Sequence, residues 1–169
     1  MQPKRSEQKS IHEAAHAVLA VYFNLPFTKV SSNLCPTITL DGELGVITGV
    51  LCGLRAVKGL EKEVRYVALA GCVAESIYEW QRFIEKGIKP PFETLQALIR
   101  KRFPRFGEDM KVYGVYAQPR DSNLSDVDIE TVEMLIRENW SKINKLGAKL
   151  CEKGEMTQNE VMQFLSCSC

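Results

Sequence analysis

The sequence lacks an apolar run long enough to cross a bilayer. The longest such run, Ala14 to Phe23, has about ten residues, whereas a membrane-spanning helix needs about 20. The opening stretch from Met1 to Ser10 is polar and charged, unlike a secretory signal. These two absences predict a soluble, cytoplasmic protein without a membrane segment.

An excess of charge of one sign is also missing. The formal net charge of the 169 residues is +1, and no long basic run occurs. Proteins that bind nucleic acid usually carry a basic patch or stripe, which neutralises phosphates. The charge pattern therefore predicts no nucleic-acid partner.

Cysteine is present, but not in a metal-binding or secretory pattern. None of the six cysteines forms a CxxC pair, the spacing typical of structural zinc sites. Disulfide frameworks are usual in short secreted chains, and the sequence shows no secretory signal. We therefore expect mostly reduced thiols, with Cys167 and Cys169 in a frayed tail.

The apolar pattern predicts a single domain over residues 1–169, of the α+β class and mainly helical. Helices are predicted at Ser6–Asn24, Glu61–Trp80, Phe92–Arg102, Ser125–Cys151 and Thr157–Leu165, and strands at Thr28–Val30, Thr37–Leu40 and Leu44–Leu51. In this prediction the first helix and the buried central helix, Glu61–Trp80, pack with a small three-stranded sheet, and long helices follow. Segment Phe103–Asn123 contains two prolines and two glycines and is predicted to be irregular.

Histidine is scarce, and its placement is informative. The sequence has only two, His12 and His16, and together with Glu13 they form an HExxH motif in the first predicted helix. Residues four apart lie on one helix face, so both imidazoles can reach one zinc ion (Zn²⁺). Glu13 would lie beside the ion and act as the catalytic general base that takes a proton from a bound water.

A catalytic zinc usually has three protein ligands, and no third histidine exists. Asp128 is the first candidate, because its helical phase places it inside an apolar arc where an unpaired carboxylate is costly. Glu75 is a rival, either as a ligand or as the acceptor that orients a ligand histidine. Asp126 lies outside the arc and is better explained as a carboxylate at a helix N-terminus.

Several segments resemble the FtsH-type peptidase domain, in the same order along nearly the whole chain. The resembling segments are residues 11–17 (HEAGHA in the family), 26–30 (a strand entry), 44–48 (LGVT), 67–75 (ALGGRAAEE), 128–132 (DxxxAT) and 154–165 (the closing helix). A lone HExxH motif could not produce this series of matches.

The resemblance implies zinc on His12, His16 and Asp128, with Glu13 as base. It also implies that strand 44–51 is an edge that binds a peptide or unfolded polypeptide substrate by β-addition. The chain departs from the family pattern at Ala15, Cys72 and Val73, and residues 81–123 have no clear counterpart. A homo-oligomer is compatible with the resemblance.

The sequence has no GxxxxGK[ST] phosphate-binding loop. We therefore expect an ATP-independent zinc metalloendopeptidase. Two alternatives stay open at this stage. One is a non-catalytic or weakly active peptide-binding or regulatory module, and the other is a peptidase subunit that works with an ATPase in trans.

Overall fold

A computed structural model describes residues 3–32, 46–47, 51–116 and 124–167, and it confirms a mainly helical α+β fold. The elements, in chain order, are α1 (Pro3–Tyr22), β1 (Lys29–Ser31), β2 (Val46–Ile47), β3 (Leu54–Arg55), α2 (Glu61–Glu85), α3 (Leu95–Arg102), α4 (Gly107–Tyr116), α5 (Asp126–Glu138), α6 (Trp140–Lys153), β4 (Glu155–Thr157) and α7 (Gln158–Cys167). A 3₁₀ turn at Phe103–Arg105 joins α3 to α4.

Helix α1 lies in the core and packs against both α2 and α6. Its buried alanines, among them Ala14, Ala15 and Ala17, let the neighbouring backbones approach closely. Helix α2 is buried on almost every side from Val64 to Ile77, because it also contacts α3, α4 and α5. The prediction of a buried central helix is therefore confirmed.

In the part of the chain that the structure describes, the strands form two antiparallel pairs, whereas the sequence predicted one three-stranded sheet. Strand β1 pairs with β4, with Val30 opposite Met156, and β2 pairs with β3. A single bridge between Lys29 and Cys52 joins the two pairs. Strand β4 was not predicted, because three residues are too few to show an alternating pattern. The predicted strand Thr37–Leu40, and most of Leu44–Leu51, lie outside the described residues.

Two predictions for the second half of the chain are corrected. The segment predicted as one helix, Ser125–Cys151, is divided at Asn139, whose buried side chain donates to the carbonyl of Leu135 at 2.9 Å. The segment predicted to be irregular contains helix α4. The second correction affects the candidate site, because α4 contributes a residue to it.

Two expectations from composition can be compared with the structure. Cys72 and Cys167 carry free thiols, as the expectation of mostly reduced cysteines predicts, whereas Cys52 is disulfide-bonded. Among the described residues, none of the helices has the length and apolar character that a bilayer crossing requires.

Candidate metal centre

Three side chains from two helices converge in the core. His12 and His16 project from α1, and Asp109 projects from the first turn of α4. The two Nε2 atoms lie 2.9 Å apart, and Asp109 Oδ2 lies 3.0 Å from that of His12 and 3.4 Å from that of His16. Among the described residues, these three form the one group with metal-ligand spacing. All three are buried.

The spacing of the three atoms matches the size of a zinc ion. Atoms with these separations lie on a circle of about 1.8 Å radius, so one point can be about 2.0–2.1 Å from all three, the usual length of zinc bonds to nitrogen and oxygen. Asp109 Oδ2 is buried and makes no hydrogen bond to the described residues, although both imidazoles face it. A buried acceptor without a hydrogen bond is costly, and a metal ion would satisfy it. The residues present therefore fit zinc.

The tautomer of His16 is fixed from the opposite side of its ring. Its Nδ1 lies 2.6 Å from the carbonyl oxygen of Val67 on α2. A carbonyl oxygen can only accept, so Nδ1 carries the proton and donates it. In the neutral ring, Nε2 then has a free lone pair that faces the centre, as a metal ligand requires.

His12 is oriented by Glu75, which the sequence left as either a ligand or an orienting acceptor. Glu75 Oε1 lies 3.0 Å from His12 Nδ1, a close charge contact whose N–H direction is poorly aligned for a hydrogen bond. The other oxygen, Oε2, accepts from Gln8 at 3.1 Å and from Arg102 at 2.9 Å. A carboxylate beside Nδ1 favours the tautomer whose Nε2 is free to bind a metal. Glu75 therefore contacts the side of the His12 ring that faces away from the metal centre and is not itself one of the candidate ligands.

Gly71 of α2 provides the space that the His12 ring occupies. A Cβ atom built on Gly71 would lie about 2.5 Å from Nε2, Cε1 and Cδ2 of that ring. The ring cannot move freely, because it also contacts Phe106, with ring centroids 4.9 Å apart, and Glu75. Any side chain at position 71 would therefore displace a candidate ligand.

We expect Gly71→Ala to weaken zinc binding and to destabilise the fold by about 1–3 kcal/mol, as overpacking of a core does. Chelator competition and thermal unfolding would measure the two effects. Gly114→Ala in α4 is the matched control, because its Cβ would meet no atom within 4 Å. It should bind zinc normally, so equal losses in both variants would contradict a specific clash with His12.

The buried carboxylate of Asp109 makes a positive charge favourable at the centre of this group. Burial alone would raise the pKa of Asp109, but the neighbouring His16 and His12 outweigh it and lower this pKa to about 2. Burial alone would lower the pKa of His12, yet Asp109 and then Glu75 outweigh it and raise this pKa well above 6.5. Without a metal, a proton on His12 therefore balances the buried Asp109 carboxylate.

Zinc binding should therefore be linked to pH. Because the pKa of His12 is raised, this side chain keeps its proton at neutral pH, and zinc must displace that proton in order to bind. We therefore expect zinc affinity to fall about tenfold for each pH unit of acidification. The folding stability of the metal-free protein should change with pH in the opposite direction, decreasing as the pH rises. The raised pKa contributes full stability below about pH 6.5, and this contribution is lost as the pH rises through the folded-state pKa. Chelator competition and urea unfolding between pH 6 and 8 would measure both, and a pH-independent affinity would contradict the linkage.

Glu13 follows His12 on α1 and is partly exposed, unlike the three ligand candidates. Its pKa is raised, chiefly by burial of the carboxyl and further by the charge of Asp109, while His12 and His16 oppose this shift. A carboxylate with a raised pKa is a better proton acceptor than an exposed one. Glu13 therefore lies beside the histidines, and its role as general base stays a prediction.

The structure does not place Asp128 at the metal centre, so the prediction of a third ligand there is corrected. Asp128 is buried, as its helical phase predicted, but Arg65 donates to both of its oxygens at 3.1 Å and Tyr113 donates to Oδ2 at 2.7 Å. A guanidinium and a hydroxyl satisfy this carboxylate instead of a metal. Asp126 is exposed and pairs with Arg100.

Asp109 occupies the position predicted for Asp128, and sequence reasoning missed it. The signal was a short helical pattern in which Asp109 precedes the apolar Val112 and Tyr113 by three and four residues, all three on one buried face. The nearby Pro104, Gly107 and Gly114 obscured this pattern by suggesting irregular backbone. With Asp109 included, the centre has the two histidines and one carboxylate that the motif requires.

Neither a scan against protein-family models nor a search of curated protein sequences finds a match to this chain.

Proposed function

We propose that this protein is a zinc-dependent peptidase that hydrolyses peptide bonds in peptides or unfolded protein segments without using ATP. The observation that carries the proposal is the convergence of two imidazole nitrogens and one buried carboxylate oxygen within 3.4 Å, next to Glu13 on the same helix. Two histidines and one acidic ligand leave an open coordination position, the arrangement of catalytic rather than structural zinc sites. The resemblance of several sequence segments to the FtsH-type peptidase domain, which includes the HExxH motif itself, is consistent with this proposal.

His12, His16 and Asp109 would hold the ion. When bound, zinc lowers the pKa of a coordinated water and polarises the scissile carbonyl. Glu13 accepts the proton of the attacking water and then passes it to the departing amine. Glu75 and the Val67 carbonyl keep the two imidazoles in the orientation and tautomer that binding requires.

An extended substrate is part of the proposal. A peptide that adds to a sheet edge forms backbone hydrogen bonds, which a folded protein cannot offer without unfolding. The proposed edge is segment 44–51, of which Val46–Ile47 pairs with β3 and most of the remainder lies outside the described residues. A cytoplasmic location is proposed with it.

Metal analysis combined with a cleavage assay tests the proposal. Protein purified without chelator should contain about one zinc per chain, as one three-ligand site predicts, and should cleave unfolded casein without ATP. A chelator should abolish the activity, and added zinc should restore it. Absence of zinc, zinc that survives the double replacement His12→Ala and His16→Ala, or cleavage that resists the chelator would each contradict the proposal.

A further inference from the structure

Three helices meet at a group of polar side chains, two of them buried and one half-buried, that lies outside the metal centre. Arg65 of α2, Tyr113 of α4 and Asp128 of α5 form this group, which we call the anchor cluster. Arg65 donates to both oxygens of Asp128 at 3.1 Å, and the Tyr113 hydroxyl donates to Asp128 Oδ2 at 2.7 Å. Arg65 also donates to the backbone carbonyl of Tyr116, at the end of α4, at 3.3 Å. The cluster therefore fastens α4 to both α2 and α5.

The hydroxyl of Tyr113 is used twice. It donates to Asp128 and also accepts a hydrogen bond from the backbone N–H of Ser125, at 3.2 Å, where α5 begins. The Tyr113 ring packs edge-on against Phe103, with centroids 5.5 Å apart. These contacts fix both the position of α4 and its rotation about its own axis.

The rotation of α4 decides where Asp109 points. Asp109 and Tyr113 are four residues apart in one helix, so they lie on the same face, one turn from each other. The two side chains are buried against different partners. Asp109 contacts His12 and His16, whereas Tyr113 contacts the other members of the anchor cluster. Apart from its charge contacts with His12 and His16, Asp109 Oδ2 has no hydrogen-bond partner among the described residues.

We propose that the anchor cluster positions Asp109 for the metal, so that Tyr113 and Asp128 set the metal affinity without touching the ion. This inference rests on the proposed function, because it takes the centre of His12, His16 and Asp109 to be a metal site. A ligand held by a fixed helix loses little freedom when it binds, whereas a ligand on a loose helix must be ordered by the metal. Asp128 is accordingly a positioning residue and not a ligand.

Zinc titration of the full chain against a chromophoric chelator tests the inference. Tyr113→Phe keeps the packed ring and removes only the hydroxyl, and it should weaken zinc binding by roughly tenfold, the lower end of the effect of residues behind a ligand. Asp128→Asn, which disturbs the cluster from α5, should do the same. Tyr116→Phe is the matched control, because Tyr116 contributes only its backbone carbonyl to the cluster. Its zinc affinity should stay within about twofold of the parent protein, since no hydrogen bond of the cluster is lost.

A double replacement separates positioning from general stability. In an Asp109→Ala background the residual two-histidine binding should not respond to Tyr113→Phe, because no ligand remains for the cluster to position. The inference would be overturned if the folded Tyr113→Phe variant bound zinc with unchanged affinity. It would also be overturned if Tyr113→Phe reduced zinc affinity equally in the parent protein and in the Asp109→Ala background. A parent protein that binds no zinc would overturn the proposed function as well. A parent that binds zinc but cleaves nothing would overturn the function and leave the positioning role to be decided by these titrations.

Discussion

Replacing Glu13 with glutamine is expected to lower the rate of peptide hydrolysis by about 100- to 10,000-fold, the usual contribution of a general base. Glutamine has nearly the same shape but cannot accept the proton of the attacking water. The zinc content should stay at the parental level, because Glu13 is not one of the three residues that converge on the site. Initial rates with an unfolded substrate and elemental analysis of the same sample would measure both effects.

Glu7→Gln is the matched control, since Glu7 is the other glutamate of α1 and is exposed. Its activity should equal that of the parent protein. A Glu13→Gln variant with parental activity would remove Glu13 from the mechanism. If that variant instead lost its zinc, Glu13 would have to be reinterpreted as part of the metal site.

Asp109→Ala is expected to weaken zinc binding strongly. Residues behind a ligand typically contribute 10–100-fold to metal affinity, so removal of a ligand itself should cost more than about 100-fold. Activity should fall in parallel, because two histidines alone leave the ion under-coordinated. Chelator competition and cleavage rates would measure the two losses.

The control series compares three aspartates that the sequence alone could not rank correctly. Asp126→Ala should leave zinc affinity unchanged, because Asp126 is exposed and pairs with Arg100. Asp128→Asn should weaken it by only about tenfold, through the position of α4. Zinc binding that is lost in Asp128→Asn and retained in Asp109→Ala would restore Asp128 as the ligand and refute the assignment made from the structure.

The two histidines of the metal centre could be predicted because they lie four residues apart in one helix. Helix periodicity alone places His12 and His16 on one face, and no knowledge of the remaining chain is needed. Their orientation could not be predicted, since it depends on Val67 and Glu75 of α2, which are distant in sequence. Contacts between helices arise from packing, which the local pattern does not encode.

Asp128 shows what helical phase can and cannot reveal. The pattern correctly placed this carboxylate on the buried face of its helix, and the structure confirms the burial. A buried carboxylate needs a partner, but a guanidinium and a hydroxyl serve as well as a metal. The helical phase of a residue therefore predicts whether its side chain is buried but not which group it contacts.

The division at Asn139 escaped prediction for a related reason. Helices α5 and α6 bury a continuous series of apolar residues, including Ile136 and Ile143, so the periodic pattern crosses the break without interruption. The break is visible in the non-helical backbone of Asn139, with φ −102° and ψ 11°, whose side chain donates a hydrogen bond to the Leu135 carbonyl. Asparagine is neutral to unfavourable within a helix and forms such local bonds readily, which is the one signal that the sequence offered.

The pairing of β1 with β4 has a consequence for biosynthesis. These strands join Lys29 to Glu155, 126 positions further along the chain, and α1 also packs against the late helix α6. The ribosome therefore releases both histidines long before α4 brings Asp109 and before β4 can pair with β1. Since long-range contacts form late, we expect the nascent chain to hold metal weakly and to bind it tightly only after β4 has been synthesised.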